Sequence, residues 1–423
     1  MCAVPQAETK LFYGWWIVAV CIVAALVGNA LGLFGAGVYL HATVEAKGWR
    51  TGVVSGAVTL FYVVSAILLI PVGTMIDRFG PRLIIAMGAI ALSVGVIGVG
   101  HANELWQVYA FFLTMGLGWA CLSTTAVATT LAPWFERYQG RAVSIASLGA
   151  SVGGMIGVPV LLFGIGQIGF PATTITVACA ALVVLLPLAC FVLKHRPQDI
   201  GSFPDGEPSP AAVATTDTPG WTRAAALRTA KLRSVVVAFG IGMMVQVGFL
   251  THQVMLISPS LGVSGTSVTV SATAIAALMG RLLLARVADH VNQRTMAAVV
   301  LTLAACALTL LAALPVPAVL AGGSVLLGLT VGNVTTLSPI IVRREFGAAS
   351  FGAIFGTASC GIQLATAFGP AFYGLLHDAF GDYRLPLLLA AGADVFAGAV
   401  VLWDGAWPRR RKHEQDGNPP AGD

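Results

Sequence analysis

Charge is scarce in this chain. Asp, Glu, Lys and Arg make up 10% of its 423 residues, 57% are hydrophobic, and the mean hydropathy is +0.86. A soluble domain carries about 25% charged residues, so this chain cannot clothe itself for water and its surroundings are expected to be lipid. Metal and redox chemistry lack their usual ligands. The seven cysteines never form CxxC, and Cys21, Cys121, Cys179, Cys190, Cys306 and Cys360 sit singly in apolar stretches, where a thiol packs as a small apolar group. No HExxH, histidine cluster or defensible Ser-His-Asp set is present, which argues against a membrane-embedded enzyme and against any cofactor or metal. No basic stripe is interleaved with aromatics, so the net charge of +5 does not point to nucleic acid. No cleavable signal peptide is expected, because the first apolar stretch is too long and lacks a small-residue cleavage pattern.

Long apolar runs are what the chain has. A span takes about 20 residues, and twelve stretches qualify: 13–40, 50–75, 82–101, 104–131, 139–166, 170–193, 234–258, 265–286, 295–314, 317–341, 350–376 and 385–403. The expected fold is therefore an all-α membrane protein. Of the 23 Lys and Arg residues, Lys47, Arg50 and Arg384 fall on one side and Arg281 inside a span, while all the others collect on the opposite side. The positive-inside rule makes that opposite side cytoplasmic and places both termini there, in an inner or plasma membrane. Residues 194–233 are rich in Pro, Gly, Ser and Thr and read as a cytoplasmic linker, with a short surface helix at the basic end from Arg223 to Arg233. The organisation is then 1–193 and 234–403 as two six-helix halves, with 404–423 as a polar tail.

Two internal repeats support the halving. Gly73-Thr-Met-Ile-Asp77-Arg78-Phe-Gly80-Pro-Arg82 ends the second span, and its frame returns as Ala285 to Arg294, with Asp289 for Asp77 and Arg294 for Arg82. The end of the fourth span, Thr129-Thr-Leu-Ala-Pro133, returns at the end of the tenth as Thr335-Thr-Leu-Ser-Pro339. In the hinges, Asp77 is expected at the start of the next helix, where an acid suits the helix dipole. The arginines are expected to pair with carboxylates or helix carbonyls as a gate over Gly73, Asp77, Arg78, Gly80, Arg82, Asp289 and Arg294. The plainer reading is that Arg78 and Arg82 only set topology.

The twelve spans, the repeated hinge and the long central linker resemble the major facilitator superfamily, whose fold is two pseudo-symmetric six-helix bundles. Shorter matches are similar to its oxalate/formate antiporter and monocarboxylate transporter branch: Tyr13-Gly-Trp-Trp, Gly48-Trp49-Arg50, Trp134-Phe135 with Gly140-Arg141-Ala142, and Gly280-Arg281-Leu282. The resemblance implies secondary transport by alternating access, with an arginine in the eighth span holding a carboxylate. It departs in two places. The antiporter's second cation, a lysine in the eleventh span, has no counterpart beside Gln363, which favours a monocarboxylate. The aspartate that animal monocarboxylate transporters carry one turn before the arginine is here Ala277.

Arg281 stands out on physical grounds as well. A charge within a span is costly and faces a cavity or partner, and Ala274, Ala277, Ala285 and Ala288 on its helical face leave room around a guanidinium suited to gripping a carboxylate. The alternative is that it reaches out to the nearer surface. Asn29, Tyr62, Trp119, Asn333 and Gln363 are candidate cavity-lining residues, each also explicable as packing between helices. His252 and Asp394 are candidate proton carriers, set against a packing histidine and a neutral, hydrogen-bonded acid on an outer helix. Expected partners are a small carboxylate, protons as coupling ion and the bilayer, for a monomer. The competing functions are export of a drug or other metabolite, for which helix five's Gly149, Gly153, Gly157 and Pro159 loosely resemble an exporter pattern, and a sensor, for which the tails offer no output domain.

Overall fold

A computed structural model describes residues 12–135, 138–206, 223–287, 291–346 and 351–403, with the backbone alone at 70, 139–140, 223, 285–287 and 351–353. Within these residues every long element is a helix. The first six spans are α1 Gly14–Lys47, α2 Thr51–Phe79, α3 Pro81–His101, α4 Leu105–Leu131, α5 Gln139–Ile168 and α6 Phe170–Val192. One 58-residue helical run, Ala230–Val287, holds the next two, because Gly262 at φ 63° reverses the chain in its middle; α7 is 230–261 and α8 is 263–287. Then come α9 Gln293–Ala313, α10 Pro317–Phe346, α11 at 351–380 and α12 Arg384–Leu402. The result is twelve membrane-spanning helices in two six-helix bundles. A short helix, Arg223–Arg228, stands at the basic end of the linker, and the chain enters α7 two residues later.

Helices α3, α6, α9 and α12 are the outer ones. On α3, Leu83, Met87, Ile90 and Val94 are exposed at successive helical turns while Ile84, Ile85, Ala89, Leu92 and Val96 are buried, which is the division expected of a helix between lipid and bundle. The bundles meet along α2 with α11, α5 with α8, and α1 with α7. Glycine permits the close approaches. A Cβ on Gly37 in α1 would come within 2.5 Å of the Thr251 carbonyl oxygen in α7.

Four spans depart from the expected continuous helices, α6 by a π turn at its end, Leu188–Val192. In α1, Asn29–Leu33 forms a wide π turn, with Asn29 Nδ2 donating to the Ala25 carbonyl at 2.8 Å. In α4, helix stops at Cys121 and restarts at Thr124, where the Ser123 hydroxyl caps the new segment by accepting from the Ala126 amide. The two irregularities face each other, since a Cβ on Gly28 would meet Leu122 at 3.0 Å and one on Gly32 would strike the Trp119 ring. In α11, Pro370 breaks the helix after Ala367, and the freed Ala371 amide donates to Thr59 Oγ1 of α2 at 3.1 Å.

The hinge also differs from expectation. Asp77 lies inside the last turn of α2, which runs to Phe79, rather than at the start of α3. Gly80 ends α2 with φ 83°, a conformation that suits glycine, and Pro81 opens α3. Asp77 therefore does not cap α3.

Candidate functional site

Arg281 is placed by glycines. Helices α8 and α10 touch backbone to backbone, because a Cβ on Gly280 would come within 2.1 Å of the Leu329 carbonyl oxygen and one on Gly328 within 2.5 Å of that of Thr273. Gly332 leaves the groove for the arginine stem: a Cβ there would overlap Arg281 Cγ at 2.4 Å and Nε at 2.7 Å. The guanidinium is half-buried and sits among neutral acceptors. Its Nε donates to the Gly332 carbonyl at 3.3 Å, one terminal nitrogen to Ser151 Oγ of α5 at 3.4 Å, and the other to Thr335 Oγ1 at 3.5 Å. All three are long for charge-assisted hydrogen bonds, which run about 2.7–2.9 Å. Among the described residues no carboxylate lies within ion-pair distance. At 1.5 Å per residue the Arg281 Cα is about 9 Å from the end of α8 nearer the hinges, yet its donors turn to α10 and α5. The contact to Ser151 crosses between the bundles, and Ser271 Oγ donating to the Met155 carbonyl at 2.9 Å crosses beside it.

The other candidate lining residues fall into groups. Asn29, Trp119 and Tyr62 surround the π turn of α1. Trp119 lies against Gly32, the Phe61 ring stands 5.9 Å from Trp119 and 4.8 Å from Tyr62, and the Tyr62 hydroxyl donates to the Leu33 carbonyl at 3.3 Å. Trp119 Nε1 is buried without a hydrogen-bond partner among the described residues. Asn333 follows Gly332 on α10, donates to the Leu329 carbonyl at 3.0 Å and keeps its Oδ1 buried without a partner among the described residues. Gln363 is half-buried on α11. Ser151 was not among the expected site residues. In Gly149-Ala-Ser151-Val-Gly153 it reads as one more small packing residue, and only its position opposite α8 distinguishes it.

The face remote from the hinges, called here the far face, is joined across the bundles. His252 of α7 is 1% exposed. Its Nε2 lies 3.0 Å from the Pro370 carbonyl, which can only accept, so Nε2 carries the proton and shares it with Ser55 Oγ of α2 at 3.2 Å. Nδ1 then accepts from the Tyr383 hydroxyl at 2.9 Å. Burial, and then the Asp378 carboxylate, push the Tyr383 phenol up from its ordinary value, so it keeps the proton it donates. Nearby, the Gly52 amide of α2 donates to Asp378 Oδ2 at 2.8 Å, and Arg50 stands 3.5 Å from the same oxygen. A cavity of about 600 Å³ opens beside these groups, bordered by His41, Glu45, His377, Asp382, Tyr383 and Arg384. It is remote from Arg281.

Asp394 is on the inner stripe of α12 and only 2% exposed, although α12 is an outer helix. It faces Gly242 of α7, and its Oδ1 has no hydrogen-bond partner among the described residues. The expected hydrogen bond to a neutral acid is not formed there.

The two hinges differ in structure. Asp77, Arg78 and Arg82 are exposed, with Arg78 lying over the Phe79 ring at 5.2 Å. Gly73 has open space, Thr129 Oγ1 being 3.7 Å from where a Cβ would lie. Among the described residues neither Arg82 nor Asp77 forms an ion pair, and Asp289 lies outside them. Arg294 is buried and pairs with Glu345 of α10 through two bonds, Nε to Oε1 at 2.6 Å and a terminal nitrogen to Oε2 at 2.8 Å. Its remaining donors reach Ser234 Oγ, the Lys231 carbonyl and the Val401 carbonyl, which ties α7, α9, α10 and α12 together.

This chain belongs to the Major Facilitator Superfamily, whose family model matches residues 14–317 and again 254–422. It is a transporter of that superfamily. Among curated proteins it is 25% identical over 368 residues to the MFS-type transporter AFUA_1G00970 of Aspergillus fumigatus, covering 82% of this chain and 80% of that one. It is 24% identical to the Agnestins efflux protein AgnL12 of Paecilomyces divaricatus over 78% of this chain and 72% of that one. The match to the uncharacterized MFS-type transporter YcxA of Bacillus subtilis, at 27% identity, spans 34% of this chain and 36% of that protein. The fold is shared with a bacterial homolog of the human lysosomal transporter Spinster in an inward-facing, unoccupied conformation (TM-score 0.73, 14% identity, 93% of this chain and 97% of that one).

Proposed function

We propose that this transporter carries a small organic anion, a monocarboxylate, and that Arg281 holds its carboxylate. One observation carries the reading: a half-buried guanidinium with three long hydrogen bonds to neutral oxygens and, among the described residues, no acid beside it. A cation in that state has unspent affinity for an anion. A carboxylate offers shorter, charge-assisted bonds than the Ser151 and Thr335 hydroxyls do. The cargo is a monocarboxylate because Gln363, and no lysine or arginine, stands on α11. Transport proceeds by alternating access, the bundles rocking about Arg281. The hinges and both termini are cytoplasmic on the distribution of Lys and Arg, and the bonded far face then corresponds to a state closed to the outside.

A second reading is export of another small molecule, and relatives favour it: one is an efflux protein for agnestins, and a 28% identical partial match is a multidrug resistance protein of Aeromonas salmonicida. Uptake of labelled formate, acetate, lactate, pyruvate and oxalate into proteoliposomes, with and without a pH gradient, separates the two. Saturable uptake of a monocarboxylate that Arg281→Ala abolishes is the expected result. Uptake of none of them, or uptake the variant leaves intact, sinks the anion reading and returns the question to exported cargo.

A further inference from the structure

Asp378 belongs to the C-terminal bundle but caps a helix of the N-terminal one. Helix α2 begins at Thr51, and its preceding residue, Arg50, offers no side-chain cap. The carboxylate of Asp378 takes that role across the interface by accepting the Gly52 amide at 2.8 Å. Gly52 has to be glycine for this, since a Cβ would lie 2.8 Å from Asp378 Oδ2 and 3.1 Å from the Gly374 carbonyl oxygen. The positive end of α2 and the Arg50 guanidinium therefore both act on Asp378. Arg50 is 74% exposed and its share is screened by water, so the amide bond is the stronger of the two contacts.

Asp378 has a second suitor on its own helix. His377 Nδ1 lies 3.8 Å from Asp378 Oδ1, and this nitrogen is buried without a hydrogen bond among the described residues. The His377 ring packs on Tyr383 at 4.4 Å, borders the far-face cavity and so has access to water. While the far face is closed, the α2 terminus and Arg50 supply positive charge around the carboxylate and oppose an imidazolium there. When the bundles part at this face, both leave with the N-terminal bundle, and His377 remains the nearest group able to neutralise Asp378.

We propose that His377 and Asp378 form the proton-binding site of the transport cycle, and that a proton on His377 takes the place of α2 and Arg50 when the far face opens. Proton binding and opening then favour each other by linkage. The remaining charged neighbours do not reverse the sign. Asp382 and Arg384 border the cavity from the same bundle as His377 and stay with it, as do His252 and Tyr383. Glu45 leaves with α1, but at 77% exposed its charge is screened by water, and His41, whose Nε2 is 3.6 Å from its carboxylate, offsets it further only when protonated. The proposal rests on alternating access and not on which cargo is carried, so it survives if the anion reading fails.

The test is the far-face distance as a function of pH. Spin labels at positions 47 and 315, in full-length protein with the seven native cysteines replaced by alanine, report the separation of the bundles by pulsed electron resonance in lipid nanodiscs. Lowering the pH from about 8 to about 5.5, across the ordinary histidine range, is expected to populate the open far face. Its slope should approach about tenfold in the open-to-closed ratio per pH unit, the limit for one coupled proton. His377→Gln should stay closed and lose the slope, Asp378→Asn should be more open at every pH and also lack it, and His252→Gln should retain it. The two site variants answer the same question, so one that fails to fold leaves the other decisive. A distance indifferent to pH in the parent, or a slope that survives in either site variant, overturns the proposal.

Discussion

Arg82 and Arg294 occupy matching places in a repeated hinge, yet one lies in the open and the other is built into the fold. The difference is the company at the end of the helix above. Arg294 meets Glu345 with both its fork and the carboxylate aligned, whereas the repeat that matches Thr129 to Thr335 sets Gln139 opposite Glu345. One sequence frame thus makes a structural clamp in the C-terminal bundle and an exposed charged turn in the N-terminal one. Arg281 is the third case: half-buried, between the two, and like Arg82 without an acid among the described residues. A buried arginine with its acid holds helices together, and a half-buried arginine without one is available to something that arrives.

This contrast can be broken experimentally. Arg294→Ala should have the largest effect on stability, because it leaves Glu345 charged and enclosed; breaking a buried pair from one side costs about 3–5 kcal/mol. Thermal melting in detergent should show the loss, with Glu345→Gln falling between it and the parent. Gly332→Ala comes next, since its Cβ overlaps Arg281 Cγ and the Ala277 carbonyl oxygen. Overpacking of this kind costs about 1–3 kcal/mol, and the displaced arginine should lose affinity for a carboxylate, read as a raised KM for uptake. Arg281→Ala should move stability by only about 1 kcal/mol in either direction, because no partner charge is stranded, while abolishing carboxylate uptake. Should it melt as low as Arg294→Ala, Arg281 is a structural residue. Arg82→Ala should leave the melting temperature within error of the parent, which would separate the two hinges cleanly.

The spans were legible from the sequence because a membrane crossing demands a long apolar run, whatever its neighbours. Even the turn between α7 and α8 lay between two such runs. What could not be read was anything that depends on a second helix. The break in α4 at Leu122 and Ser123 sits within apolar and threonine-rich sequence that reads as continuous helix, and it takes its place opposite Gly28 and Gly32. Asp77 looked like the start of α3 although Gly80-Pro81 carries the local signal, a glycine that stops α2 and a proline that opens α3. Glu345 follows Arg343 and Arg344 and passes for part of a surface charge run. Ser151 and Asp378 act across the bundle interface, which no local pattern encodes. Arg281 was legible because a charge inside a span is conspicuous alone; its glycine groove on α10 was not.

The break in α11 makes that span two rods joined near Phe368. The outer rod, Gly369–Phe380, is fastened to α2 through Thr59 and the Gly52 contact of Asp378 and to α7 where Gly369 meets Gly248, and the inner rod, Phe351–Ala367, likewise packs against both α7 and α2. The joint gives each rod its own direction, so a change of tilt in the outer rod need not be transmitted along a rigid axis to the inner one.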